Sequence, residues 1–355
     1  MSAGTYGKTT TSALLSWILT TAGLEPSYMF GGLAIGTMPD FNSAQINDSA
    51  WSVLEGDEYK SARWDHTPKF SHYSPTHLLL TSIEWDHADI YPTEEAYIDV
   101  FYNLVNHMPA DSIIVACNDD KTIRQMDPQW SAQFITYGQV KAEYIYTNVL
   151  QTKDGISFDI VHEEKQYHIK SPMLGNFQAT NITGAFALAA SIGIPEEKIM
   201  GAIAAFPGLK RRLEKRYEKD VTIFDDIAHS PAKAHATLAT LRQIYSGKIF
   251  AVFEPNTGNR KLEAIAGYAD AFKAADELII PRLTKVKKNR QDIHCSLDGE
   301  ELAQIISRTH KQTIYLDDDK KLVAYLKKTC RKGDIVVFLG SHGFRGMIEE
   351  LIDNL

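Results

Sequence analysis

Cysteine is scarce: Cys117, Cys295 and Cys330 are the three in 355 residues, far apart and with no C-x-x-C pair. That usage excludes a disulfide framework and a cysteine-based zinc site, and it fits a reducing, cytoplasmic setting. No secretory signal leads the chain, and no apolar run approaches the ~20 residues a membrane span needs, so no membrane partner is expected. A surplus of positive charge is also lacking. The net charge of −8 argues against a duplex nucleic-acid binder, which would carry a basic face. The one basic stretch, Arg282 to Arg290 with Lys285, Lys287 and Lys288, reads as a solvated loop. There is no internal repeat and no low-complexity tract. The hydrophobic share of 44% is that of a globular protein, and the length suggests two domains of roughly 150–200 residues.

The chemistry begins at Gly4-Thr5-Tyr6-Gly7-Lys8-Thr9-Thr10-Thr11. Glycines let a backbone fold around a polyphosphate with its N–H groups turned inward, so this reads as a phosphate-binding loop feeding a helix. Lys8 would reach the outer phosphates and Thr9 would ligate Mg²⁺. Leu14, Leu15, Trp17 and Ile18 mark the helix, which stops near Gly23. Two features depart from the general pattern. Ser2 stands where a glycine is usual, and only three residues precede Gly4, so the strand that should lead into the loop is expected to be absent.

Two short apolar strands follow, Trp51 to Glu55 and Leu78 to Ile83. In a parallel sheet their acidic ends, Glu55 and Glu84-Trp85-Asp86-His87, would share the rim of the loop. Singly, an acidic strand end is a solvated loop and a lone histidine is structural. Together with the loop they favour a nucleotide–magnesium site, with Glu55 and His87 as metal ligands beside Thr9. Lys69 to Pro75 reads as extended, Pro92 to Val105 as a helix, and Ser112 to Cys117 as a strand. Glu143 to Ser171 alternates as an antiparallel meander, and helices follow over Leu174 to Gly193 and Pro195 to Phe206. Pro207-Gly208-Leu209 reads as a hinge. The charged run Lys210 to Arg216 is open between a solvated face and help with phosphate neutralisation. Beyond it strands and helices alternate, with helices expected over 231–244, 261–274, 299–307, 318–329 and 344–353, as in a doubly wound sheet. The expected organisation is α/β throughout. A phosphate-loop domain over 1–207, with a mostly parallel sheet plus the meander, precedes a Rossmann-like domain over 208–355.

These motifs, in this order, resemble the Mur ligases. G-T-Y-G-K-T-T-T is similar to their nucleotide loop, and E-G-D-E-Y at Glu55 and I-E-W-D-H-A-D at Ile83 are similar to segments of the branch acting on UDP-N-acetylmuramate. L-K-R-R-L-E at Leu209 and D-D-I-A-H-S-P at Asp225 resemble the basic junction and the loop opening the last domain. K-F-S-H-Y-S-P with D-H-A-D-I is most similar to the peptide-recycling member. The resemblance implies an ATP- and Mg²⁺-dependent amide ligase, monomeric and cytoplasmic. It would join UDP-N-acetylmuramate to the tripeptide L-alanyl-γ-D-glutamyl-meso-diaminopimelate through an acyl phosphate. The alternatives are L-alanine as the amine donor, a ligase for another carboxylate such as folate, or an ATP-binding chain that does not ligate. By the same resemblance Gly4, Thr5, Gly7, Lys8, Thr9 and Thr10 hold phosphates, and Asn181 binds adenine. Arg211 or Arg212, with Asp226 and His229, meets the nucleotide from the last domain. Lys8, His87 and Arg212 carry the catalytic roles. A tripeptide donor would use groups from Asn256 to Arg260 and from His342 to Arg345. Phe177-Gln178 stands where the family has His-Asn, and its first domain has no counterpart here.

Overall fold

In a computed structural model, residues 1–36, 41–85, 90–126, 133–284 and 296–355 are described. The chain forms two compact units, Met1–Leu209 and Lys210–Leu355. Both are α/β.

The first unit runs β1 (Ser2–Ala3), α1 (Lys8–Thr21), β2 (Ser27–Met29), β3 (Ala44–Gln45), β4 (Ser52–Gly56), β5 (His77–Leu80), α2 (Glu94–Asn106), β6 (Ile113–Cys117) and α3 (Lys121–Gln125). It continues through β7 (Gln133–Gly138), β8 (Tyr144–Thr152), β9 (Gly155–His162), β10 (Lys165–Ser171), α4 (Phe177–Ser191) and α5 (Glu196–Ala205). Among the described residues its ten strands lie in the order β10-β9-β8-β7-β6-β5-β1-β4-β2-β3. From β8 to β2 neighbouring strands are parallel, and the pairs β8–β9, β9–β10 and β2–β3 are antiparallel. The meander therefore prolongs the main sheet.

A strand does precede the loop, which corrects the expectation of its absence. Ser2 and Ala3 pair in parallel with Glu55 and Gly56 on one side and Leu79 and Leu80 on the other. Two residues suffice because both neighbours satisfy their backbone groups, and both residues are fully buried. α1 is buried nearly all round, from Thr9 to Leu19, because it packs against α4 and α5 as well as the sheet. Thr93 caps α2 by accepting the Ala96 N–H, and Glu94 and Glu95 fill its first turn, where carboxylates favour the helix dipole. Lys69–His72 is a 3₁₀ turn rather than extended chain, drawn in by Phe70, which is fully buried against Phe101.

The second unit runs β11 (Glu214–Glu218), β12 (Thr222–Asp226), α6 (Pro231–Ile244), β13 (Ile249–Glu254), β14 (Glu277–Pro281), α7 (Gly299–Ile306), β15 (Thr313–Leu316), α8 (Asp319–Thr329), β16 (Ile335–Gly340) and α9 (Met347–Asp353). The strand order is β11-β12-β16-β13-β14-β15, parallel except for the β11 edge. The end of the charged run is thus an edge strand, on which Lys215 pairs with Glu218 and Arg216 with Glu349 rather than forming a freely solvated face. The helix expected over 261–274 is instead a 3₁₀ stretch, Leu262–Tyr268. Gly267 weakens helix there, and Tyr268 is pulled inward to donate to the Asn259 carbonyl at 2.6 Å. Among the described residues no helix is long and apolar enough to cross a membrane. Cys117 and Cys330 are buried free thiols, pushed up by burial to about 11 and about 12; Cys295 lies outside the described residues.

Candidate functional site

The loop after β1 turns on two left-handed glycines, Gly4 at φ 133° and Gly7 at φ 85°. A Cβ on Gly4 would strike Thr81 Oγ1 and the Ser82 backbone, and one on Gly7 would strike Asn181 Oδ1. The loop hangs on the segment after β5. The Thr5 N–H donates to Ser82 O at 2.8 Å, the Tyr6 N–H to Ser82 Oγ at 3.0 Å, and Thr81 Oγ1 to Ala3 O at 3.1 Å. Gly7 caps α1 without a side chain, so the first N–H groups of the helix have no acceptor within it. Those donors and the positive end of the helix dipole converge where an anion would sit.

Lys8 Nζ lies over this loop, donating to Gly4 O at 2.6 Å and Thr5 O at 3.1 Å. It also pairs with Glu58, whose carboxylate is 1% exposed and 2.9 Å away. Thr9 Oγ1 donates to Glu55 Oε1 at 2.8 Å, and the other oxygen of Glu55 accepts the Gly31 N–H at 2.6 Å. Thr10 is buried in the same turn. The Thr9 hydroxyl and Glu55 carboxylate are adjacent hard oxygens beside an anion cradle, and that donor set fits Mg²⁺ completed by phosphate oxygens. Among the described residues no group of three or more His, Cys, Asp or Glu could hold a metal unaided. His87, the other expected metal ligand, lies outside the described residues.

Asn181, on α4, stands against Gly7, and its amide donates to Gln178 Oε1 at 3.0 Å. Gln178 is buried while Phe177 is 49% exposed, its ring over Gly175. The structure thus brings Gly4, Thr5, Gly7, Lys8, Thr9, Thr10, Glu55 and Asn181 together. Sequence patterning alone assigns no role to Glu58, although the last acid of E-G-D-E, three residues beyond Glu55, is the available signal.

In the second unit Asp226 ends β12. Its carboxylate accepts the N–H groups of Leu213 at 2.6 Å and Ala228 at 2.7 Å. Burial raises its pKa, outweighing those bonds. His229 Nδ1 lies 2.7 Å from Ile227 O, and since a carbonyl only accepts, that nitrogen carries the proton. Arg211 and Arg212 part company. Arg211, at φ 58°, turns its guanidinium onto the carbonyls of Gly340, Ser341 and His342, with Asp225 at 3.5 Å, whereas Arg212 is exposed. Arg260 is 4% exposed and donates to Pro255 O and Thr284 O. Arg345 is held by Glu254 and Asp319.

Residues 3–189 match the family described as Mur ligase middle domain, and residues 211–342 that described as Mur ligase, glutamate ligase domain. The UDP-N-acetylmuramate–L-alanine ligase of Caldanaerobacter subterraneus is 29% identical over 357 residues, covering 99% of this chain and 74% of that protein. The UDP-N-acetylmuramate–L-alanyl-γ-D-glutamyl-meso-2,6-diaminoheptandioate ligase of Escherichia coli is 31% identical over 364 residues, covering 99% and 75%. The solved UDP-N-acetylmuramate–alanine ligase of Thermotoga maritima shares the fold at a TM-score of 0.79 and 19% identity, over 99% of this chain and 74% of that one. Alanine-adding and tripeptide-adding ligases therefore match at similar identity, and the peptide-recycling member expected from K-F-S-H-Y-S-P is not singled out.

Proposed function

The chain belongs to the Mur ligases, a family of ATP-dependent carbon–nitrogen ligases, and from that premise we propose that it joins the carboxyl group of UDP-N-acetylmuramate to the amino group of L-alanine. The observation that carries this reading is the cradle at the start of α1, where Lys8 spans the loop and the Thr9–Glu55 pair lies beside it.

On this reading the loop N–H groups and Lys8 hold the β- and γ-phosphates of ATP, and Asn181 lies on the side of the base. Mg²⁺, held by Thr9 and Glu55, would neutralise phosphate charge. A muramoyl carboxylate oxygen attacks the γ-phosphorus and ADP departs. The amine then attacks the acyl carbon, loses a proton, and phosphate leaves with the former carboxylate oxygen. Phosphoryl transfer of this kind needs positioned cations more than a protein nucleophile, which suits the residues present. The amine donor takes the carboxyl rim of the second unit. The engagement of Arg260 and Arg345 within that unit supports a small donor over one with extra carboxylates to be bound.

A second reading, in which the donor is the tripeptide beginning with L-alanine, is favoured by the 31% identity to the E. coli peptide ligase. Phosphate release from ATP with UDP-N-acetylmuramate and either donor tests both. Release that requires L-alanine supports the first reading, release that requires the tripeptide the second, and release with neither overturns both.

A further inference from the structure

We infer that Glu254 is a positioning residue which, through Arg345, sets the loop after β16 for the amine donor; this rests on the function proposed above. β16 lies between β12 and β13, so the loop from Ser341 to Gly346 leaves the middle of the carboxyl rim. Ligands of open α/β sheets sit in that crevice. The loop holds an unusual backbone, with Arg345 at φ 52°, a region side-chain-bearing residues rarely adopt. Something must hold it there, and the side chain of Arg345 does so.

Its Nη1 donates to Glu254 Oε2 at 2.9 Å, while Nε and Nη2 donate to the two oxygens of Asp319 at 2.9 and 3.1 Å. Arg282 reaches the same Asp319 at 3.0 Å. Glu254, at the end of β13, is 1% exposed, and its other oxygen accepts the Thr284 N–H at 2.7 Å with Arg260 at 3.5 Å. One buried carboxylate therefore ties the loops after β13, β14 and β16. From the other side Arg211 grips the carbonyls of Gly340, Ser341 and His342. Ser341, His342 and Gly343 are left presented between two clamps, with His342 and Gly343 exposed. Arg345 spends Nε, Nη1 and Nη2 on carboxylates of its own unit, so it acts on the loop rather than as a substrate ligand.

The test compares the intact chain with Glu254→Gln, which removes the charge at constant shape. It adds Arg345→Gly, which keeps the left-handed backbone available without the guanidinium and leaves Glu254 its other partners. Amide hydrogen exchange at 341–346 is expected to accelerate at least tenfold in both variants, with α1 unchanged. KM for the amine donor should rise tenfold or more, with KM for ATP within twofold, a split that a general loss of stability would not produce. Unchanged exchange and unchanged donor KM in Arg345→Gly would overturn the inference even if Glu254→Gln fails to fold. If the intact chain turns over neither donor, the proposed function falls, and the exchange data still decide the positioning claim.

Discussion

Replacing Gly7 by alanine separates backbone strain from loss of the nucleotide cradle, because Gly23 offers a matched control. Gly7 lies at φ 85° and Gly23 at φ 88°, so alanine at either position adopts the left-handed region at about 1–2 kcal/mol. For a unit of this size that lowers Tm by about 2–8 °C, taking roughly 2–4 °C per kcal/mol. The two positions differ in what a Cβ meets. At Gly23 nothing lies within 4 Å, whereas at Gly7 the methyl strikes Asn181 Oδ1. Gly7→Ala must therefore move Asn181 off its 3.0 Å bond with Gln178 and re-aim the first N–H groups of α1. Losing one charge-assisted bond to phosphate costs about 1.5–3 kcal/mol, or about ten- to hundredfold in Kd. Thermal unfolding and calorimetric titration with ADP give both quantities. Both variants should lose stability through backbone strain, Gly7→Ala the more because it also displaces Asn181, and only Gly7→Ala should lose affinity. Equal ADP affinity in the two would refute the assignment of the loop.

Lys8→Ala should abolish ATP-dependent phosphate release while circular dichroism stays unchanged, and normal turnover would remove Lys8 from the site. Glu55→Gln takes the charge from the Thr9 pair, so the Mg²⁺ concentration for half-maximal rate should rise at least tenfold, measured by metal titration at fixed ATP. Asp225, its side chain 4% exposed, is raised by burial to about 6, against the lowering pull of Arg211. The folded state therefore holds the proton more tightly than the unfolded chain, whose value is 3.8, and stability falls as pH rises from 3.8 to about 6. The full swing is at most about 3 kcal/mol; denaturant unfolding of Asp225→Asn should lack that slope.

Much of the architecture was readable because local signals and burial agree. α6 begins where Ser230 caps and Pro231 takes the first turn, and the buried strands at 113–117 and 335–340 are plain apolar runs. Strand order was not readable, since it depends on partners distant in sequence. Nothing local says that Ser2 and Ala3 suffice as a central strand, or that β8 joins β7. Tertiary pull also overrode local pattern at Tyr268 and Phe70, whose burial bends their segments into 3₁₀ turns. Within the site, the loop, Thr9 and Glu55 followed from residue type and spacing. The partners that occupy charged groups did not: Glu58 against Lys8, and the Gly340–His342 carbonyls against Arg211, come from strands or loops far along the chain.

The central claim, activation of a carboxylate by ATP, is tested most directly with UDP-N-acetylmuramate carrying ¹⁸O at both oxygens of its carboxyl group, together with ATP, Mg²⁺ and L-alanine or the tripeptide. Mass spectrometry of the products should find one ¹⁸O in the released phosphate for each amide formed. Phosphate released without the label would mean that water, not the carboxylate, attacks ATP, and would contradict the account.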